Sequence, residues 1–165
     1  DTGGYYLVAA DGGVFAFGGA PYLGSMGGQH LNAPIVGMGI TTGPPTNPYG
    51  YYLVGADGGV FAFGGAAFFG SMGGQRLNAP IVGVATPGHS GFIASGYWLV
   101  ASDGGVFSFG QAKFFGSTGN IRLNKPIVGM AFGTDSGGGS DHTVNQGYWL
   151  VVRGSPLLVQ PLCEC

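Results

Sequence analysis

The sequence predicts an all-β fold made of tandem four-stranded blades of about 46 residues, in the manner of a β-propeller. Three observations carry that prediction. Gly4 to Gly18, GYYLVAADGGVFAFG, returns nearly unchanged as Gly50 to Gly64 and again as Gly96 to Gly110, and a fourth copy opens at Gly147 with GYWLV. The leading strand of each copy is apolar on both faces, as a sheet covered on both sides requires. No segment offers a capped apolar stripe of helical period.

Within a unit the strands follow from residue type. Tyr97-Trp98-Leu99-Val100 and Val106-Phe107-Ser108-Phe109 are β-branched and aromatic, the composition that fits a pleated surface. Between them stands Asp103-Gly104, matched by Asp11-Gly12 and Asp57-Gly58, which predicts a two-residue type I′ turn with φ > 0 at both positions. A further short strand is expected at Phe114 to Ser117, and at Tyr22 to Ser25 and Phe68 to Ser71 in the earlier copies. Another begins at Pro126-Ile127-Val128, matched at Pro34 and Pro80. Proline is tolerated at a first strand position because no ladder donor is lost there. Glycines suit the places where blades crowd and where turns demand φ > 0.

The spacing is regular. Tyr5, Tyr51 and Tyr97 share one interval, as do Asn32, Asn78 and Asn124, and the step to Tyr148 is longer by the extra residues within 133–146. Roughly 29 of 36 positions from Gly4 to Gly39 are identical in the next copy. Residues 1–165 therefore read as one repeat domain with units 4–49, 50–95 and 96–146 and a partial unit 147–165. Strands two to four of one blade come first, then two full blades, then the opening strands of another. Three and a half units do not close a propeller, so closure within the chain, in a dimeric ring or in a head-to-tail series is expected. Three repeats of four strands is also the count of a β-trefoil, which stands as the alternative.

Composition narrows the function classes. The 165 residues include 37 Gly and 10 Pro, yet 45% are hydrophobic and 13% aromatic, which favours a packed structure over low complexity. Only 7% are charged and the formal net charge is −2; without clustered Lys and Arg, neither nucleic acid nor an anionic membrane is an expected partner. No run reaches the length of a membrane span. So little surface charge gives weak protection against self-association.

DGGVFSFG, followed by Gly116, Gly119 and the Pro126-Ile127-Val128 strand, resembles repeats of the regulator-of-chromosome-condensation type, which implies propeller blades. The GSMGGQ and GSTGN segments depart from that pattern. More closely, GYWLVASDGGVFSFG with FFGSTG and RLNKPIVGMA resembles tandem arrays in secreted, cell-wall-associated proteins of actinobacteria. That resemblance implies an extracellular, secreted or cell-surface setting and an interaction module. After Val152 the sequence leaves the pattern.

No catalytic constellation stands out, and no cofactor or metal is implied. Asp11, Asp57 and Asp103 are the one repeated carboxylate and lie in turns, where turn chemistry accounts for them. Ser25, Ser71 and Ser117 recur in G-S-x-G, but a hydrolase elbow needs a strand-to-helix turn. His30 is replaced by Arg76 and Arg122 in the equivalent slot, as on a solvated surface. The segments that differ between copies are 41–49, 86–95 and 133–146. All three connect the same two strands, so they are expected on one rim, as repeat folds present a binding surface. They supply the ligand-binding candidates Asn47, Tyr49, His89, Ser90, Phe92, Asp135, Asp141 and His142. Cys163 and Cys165 are disulfide candidates. The expected function is a non-enzymatic binding module for a cell-wall or surface glycan or a protein. The alternative is a self-assembling subunit, a homo-oligomer or filament in which a neighbouring chain completes an unfinished blade.

Overall fold

The computed structural model describes residues 3–41, 50–87, 96–135 and 145–154. The described residues form ten strands and no helix. Strands β1 (Gly4–Val8) and β2 (Val14–Gly18) pair as one antiparallel sheet. Strands β3 (Ile35–Thr41), β4 (Gly50–Gly55) and β5 (Val60–Gly64) form a second, in that order. Strands β6 (Ile81–Ala85), β7 (Gly96–Ala101) and β8 (Val106–Gly110) repeat it, and β9 (Ile127–Asp135) pairs with β10 (Asn145–Val152). Each Pro-Ile-Val strand thus joins the sheet of the following Gly-Tyr strand, the grouping expected from the repeat. The described strands form separate sheets, not a closed barrel or ring.

Two expectations are corrected. Among the described residues the sheets have two or three strands, not four, because 22–25, 68–71 and 114–117 are not strands. Gly24, Gly70 and Gly116 take φ of 130°, 124° and 111°, which a ladder does not allow. The hairpins are not type I′ either, since no described non-glycine residue has positive φ. Gly12 N–H donates to Ala9 O at 2.9 Å, and Ala9 N–H donates to Gly13 O at 2.9 Å. With Gly12 at φ 81°, this is a type I turn followed by a left-handed glycine bulge, and Gly58 and Gly104 repeat it.

The sheets stack face to face. One face carries the first aromatic of the Gly-Tyr strand, its leucine and two phenylalanines: Tyr51, Leu53, Phe61 and Phe63 in the second sheet. The other carries the second aromatic and two valines, Tyr52, Val54 and Val60. We call these the leucine face and the valine face. The valine face of the first sheet packs on the leucine face of the second, the valine face of the second on the leucine face of the third, and the valine face of the third on Tyr148 and Leu150 of the fourth. All six residues of β4 and of β7 are buried, as apolarity on both faces requires.

β6 lies against β3 on one side and β9 on the other, and glycine sets how closely. A Cβ at Gly39 would stand 2.9 Å from a Thr86 methyl, and one at Gly83 would stand 3.4 Å from Gly129 Cα. Backbone bonds stitch successive sheets here: Ile35 N–H donates to Ala10 O at 2.8 Å, Ile81 N–H to Ala56 O at 2.9 Å and Ile127 N–H to Ser102 O at 2.9 Å. All three Pro-Ile-Val strands bulge at the same place, opposite β4, β7 and β10.

Candidate functional site

Most of the loop candidates, Asn47, Tyr49, His89, Ser90, Phe92, Asp141 and His142, lie outside the described residues, as do Cys163 and Cys165. Asp135 ends β9 opposite Asn145.

The repeated polar side chains are held in turns. Asp11, Asp57 and Asp103 each accept the N–H of the residue two ahead through Oδ1, at 2.9 Å. Ser25, Ser71 and Ser117 do the same through Oγ, at 3.2, 3.3 and 3.4 Å. Those are local Asx- and ST-type turns. His30, Arg76 and Arg122 are exposed. A shallow open depression of about 400 Å³ separates the Ala10–Asp11 turn from residues 29–34. Among the described residues no cluster of three metal-ligating side chains occurs.

What the repeat builds instead is a clamp. Tyr52 O–H donates to Ala67 O at 2.7 Å from the same unit. Tyr97, from the next sheet, accepts Phe69 N–H at 3.3 Å through its hydroxyl oxygen and donates to Gly70 O at 2.5 Å. The segment 67–70 is therefore gripped from both sides, and Phe68 stands between the two grips. The other copies match. Tyr6 holds Pro21 O while Tyr51 bridges Leu23 and Gly24. Trp98 Nε1–H holds Lys113 O while Tyr148 bridges Phe115 and Gly116. A glycine lets the next sheet approach: a Cβ at Gly24 would sit 2.6 Å from the Phe63 ring, and one at Gly70 would sit 2.9 Å from Phe109.

Each clamp has the same result. The second aliphatic or aromatic residue of the segment, Leu23, Phe69 or Phe115, turns into the core. The first, Tyr22, Phe68 or Phe114, stands more than half exposed. Stacked sheets thus display one aromatic per unit in a row, on a backbone fixed by hydrogen bonds rather than by a ladder. Burial pushes the Tyr52 phenol up to about 12, with a further rise from the neighbouring Tyr97. Burial also raises Tyr97 and Tyr51, against lowering by the backbone groups they bridge, so the phenols keep the protons they donate.

Sequence reasoning treated residues 22–25, 68–71 and 114–117 as strands and so missed this row. The available signal was the glycine two residues after each exposed aromatic, a residue that weakens a strand and permits the left-handed φ found there. Comparison of the chain with family models, curated proteins and solved structures finds no match.

Proposed function

We propose that the chain is a non-enzymatic module of the β-propeller type that binds a cell-wall or surface glycan through its repeated exposed aromatics. The observation that carries this is the clamp: Tyr22, Phe68 and Phe114 are exposed at equivalent positions while the backbone beneath each is held from two sheets. A ring fixed in the open offers an apolar face for a sugar to stack upon, with little ordering needed on binding. Regular repetition suits a polymer, because linked weak contacts add as avidity. The repeated Asp and Ser side chains, held in turns, argue for binding rather than chemistry. The propeller reading is supported by face-to-face sheets whose glycine-bearing strands β3, β6 and β9 converge along one side. The extracellular setting is supported by the resemblance to secreted tandem arrays.

The test is retention on insoluble peptidoglycan, chitin and cellulose by the chain and by a Tyr22→Ala/Phe68→Ala/Phe114→Ala variant. The chain is expected to be retained on at least one polymer, and the variant to bind on the order of 100-fold more weakly with its melting temperature unchanged. Retention of the variant equal to that of the parent chain, or of neither on any polymer, refutes the proposal.

A further inference from the structure

The turn end of the sheets is tied together by one continuous series of backbone hydrogen bonds. Ile35 N–H donates to Ala10 O, Ala56 N–H to Pro34 O, Ile81 N–H to Ala56 O, Ser102 N–H to Pro80 O and Ile127 N–H to Ser102 O, at 2.8 or 2.9 Å. The series alternates between the Asp-Gly turns and the Leu-Asn-x-Pro loops. Across that end the polar side chains therefore come in the order Asp11, Asn32, Asp57, Asn78, Asp103, Asn124. The second unit has described units on both sides of it, and Asn78 is exposed there, as Asn32 and Asn124 are in theirs.

Residues 25–35, 71–81 and 117–127 keep six residues in all three copies, and five of the six have a part in the fold. The serine holds a turn. A Cβ at Gly27, Gly73 or Gly119 would stand 3.3, 3.2 or 3.0 Å from the Cα of Gly13, Gly59 or Gly105. The leucine packs into the core, the proline carbonyl accepts the next turn's N–H, and the isoleucine is buried. The asparagine is the exception. Among the described residues, Asn32, Asn78 and Asn124 make no side-chain hydrogen bond, and none takes the left-handed φ that would favour asparagine. Neighbouring positions change freely: Gln29 and Gln75 give way to Ile121, and Ala33 and Ala79 to Lys125. An exposed amide kept amid such change, with no partner in the fold, is free for a ligand.

We infer that this end of the stack is a second sugar-binding line, taking the hydroxyls of a neutral glycan. An asparagine amide both donates and accepts, so it can pair with two neighbouring hydroxyls. Each aspartate uses Oδ1 on its own turn, which leaves Oδ2 to accept from a third. In the first copy Asp11 and Asn32 border the open depression of about 400 Å³. Asp11, Asp57 and Asp103 are matched by Arg76, Arg122 and Lys125 in the same turns and loops, so the line has no net charge to select a charged polymer. The inference rests on the glycan reading for the class of ligand, but its place is separate from Tyr22, Phe68 and Phe114.

Titration of the ¹⁵N-labelled chain with cellohexaose and with chitohexaose tests it, read at the side-chain amides of Asn32, Asn78 and Asn124 and at the backbone amides of Tyr22, Phe68 and Phe114. Single Asn→Ala variants assign the side-chain signals. All three asparagine amides should shift with at least one oligosaccharide. Shifts confined to the aromatic segments overturn the inference and leave the glycan reading standing. Shifts confined to the asparagines uphold it and remove the aromatics from the site. No shift at either place overturns it, and retention on the insoluble polymers then decides the glycan reading by itself. An Asn32→Ala/Asn78→Ala/Asn124→Ala variant should melt with the parent chain and bind on the order of 10-fold more weakly. Equal affinity overturns the inference, as does a lowered melting temperature, which would return the asparagines to the fold.

Discussion

Replacing Tyr97 by phenylalanine deletes one oxygen and nothing else from the clamp between the second and third sheets. That oxygen accepts the Phe69 N–H and donates to Gly70 O, and the Tyr97 side chain is fully buried. The ring contacts with Tyr52, Phe69 and Phe109, at 4.6, 6.0 and 5.4 Å, survive the change. Leaving two partly buried backbone groups without a partner costs about 1–3 kcal/mol each when burial is complete. Partial water access reduces this, and about 2–3 kcal/mol is expected for the pair. For a chain of this size that is about 5–10 °C in melting temperature. The repeat supplies its own control: Tyr5 occupies the same position in the first sheet but is exposed, so Tyr5→Phe should stay within about 0.5 kcal/mol. Urea unfolding of the two variants beside the parent measures both. A Tyr97→Phe loss under about 0.5 kcal/mol, or equal losses at the two sites, would refute the clamp.

Further outcomes follow from individual positions. Ser108 Oγ is buried without a hydrogen-bond partner, where the other copies carry Ala16 and Ala62, so Ser108→Ala should stabilise by about 1 kcal/mol in the same assay. Gly58 and Gly74 both have φ 79°, but a Cβ at Gly58 would stand 2.5 Å from Met72 Cβ while one at Gly74 would meet nothing. Gly74→Ala should cost about 1 kcal/mol from backbone conformation, and Gly58→Ala at least about 1 kcal/mol more; equal costs would contradict the packing. Tyr52 has its phenol raised from 10.0 to about 12, so the unfolded chain loses this proton first. Its contribution is complete below pH 10 and is lost as pH rises toward 12. Stability measured from pH 8 upward should decline through that window, less steeply in Tyr52→Phe, and a flat profile would count against the burial of Tyr52.

The strands and their grouping were legible because they depend on short patterns. Tyr51 to Val54 are apolar at consecutive positions, and the structure buries all four. The turn was misread because Asp-Gly is compatible with two hairpin geometries. The loop runs from Ala9 to Gly13, and the glycine alone enters the left-handed region while Asp11 serves as an acceptor. The clamps were not legible, because Tyr97 reaches its partners 27 and 28 residues earlier in the chain, a distance no local pattern encodes. For the same reason Tyr5 and Tyr51 look equivalent in sequence. One ends up exposed and the other fully buried, according to which sheet lies over it.

Amide hydrogen exchange at Phe69 and Phe115 tests the central claim, that adjacent sheets jointly hold the segments displaying the aromatic row. Neither residue lies in a strand, and each donates its N–H to a tyrosine of the following sheet, at 3.3 and 3.1 Å. Both amides should be protected like those of the neighbouring strands, and Tyr97→Phe should release Phe69 while leaving Phe115 slow. Exchange of both at the rate of the exposed Gly74 turn in the parent chain would contradict the account.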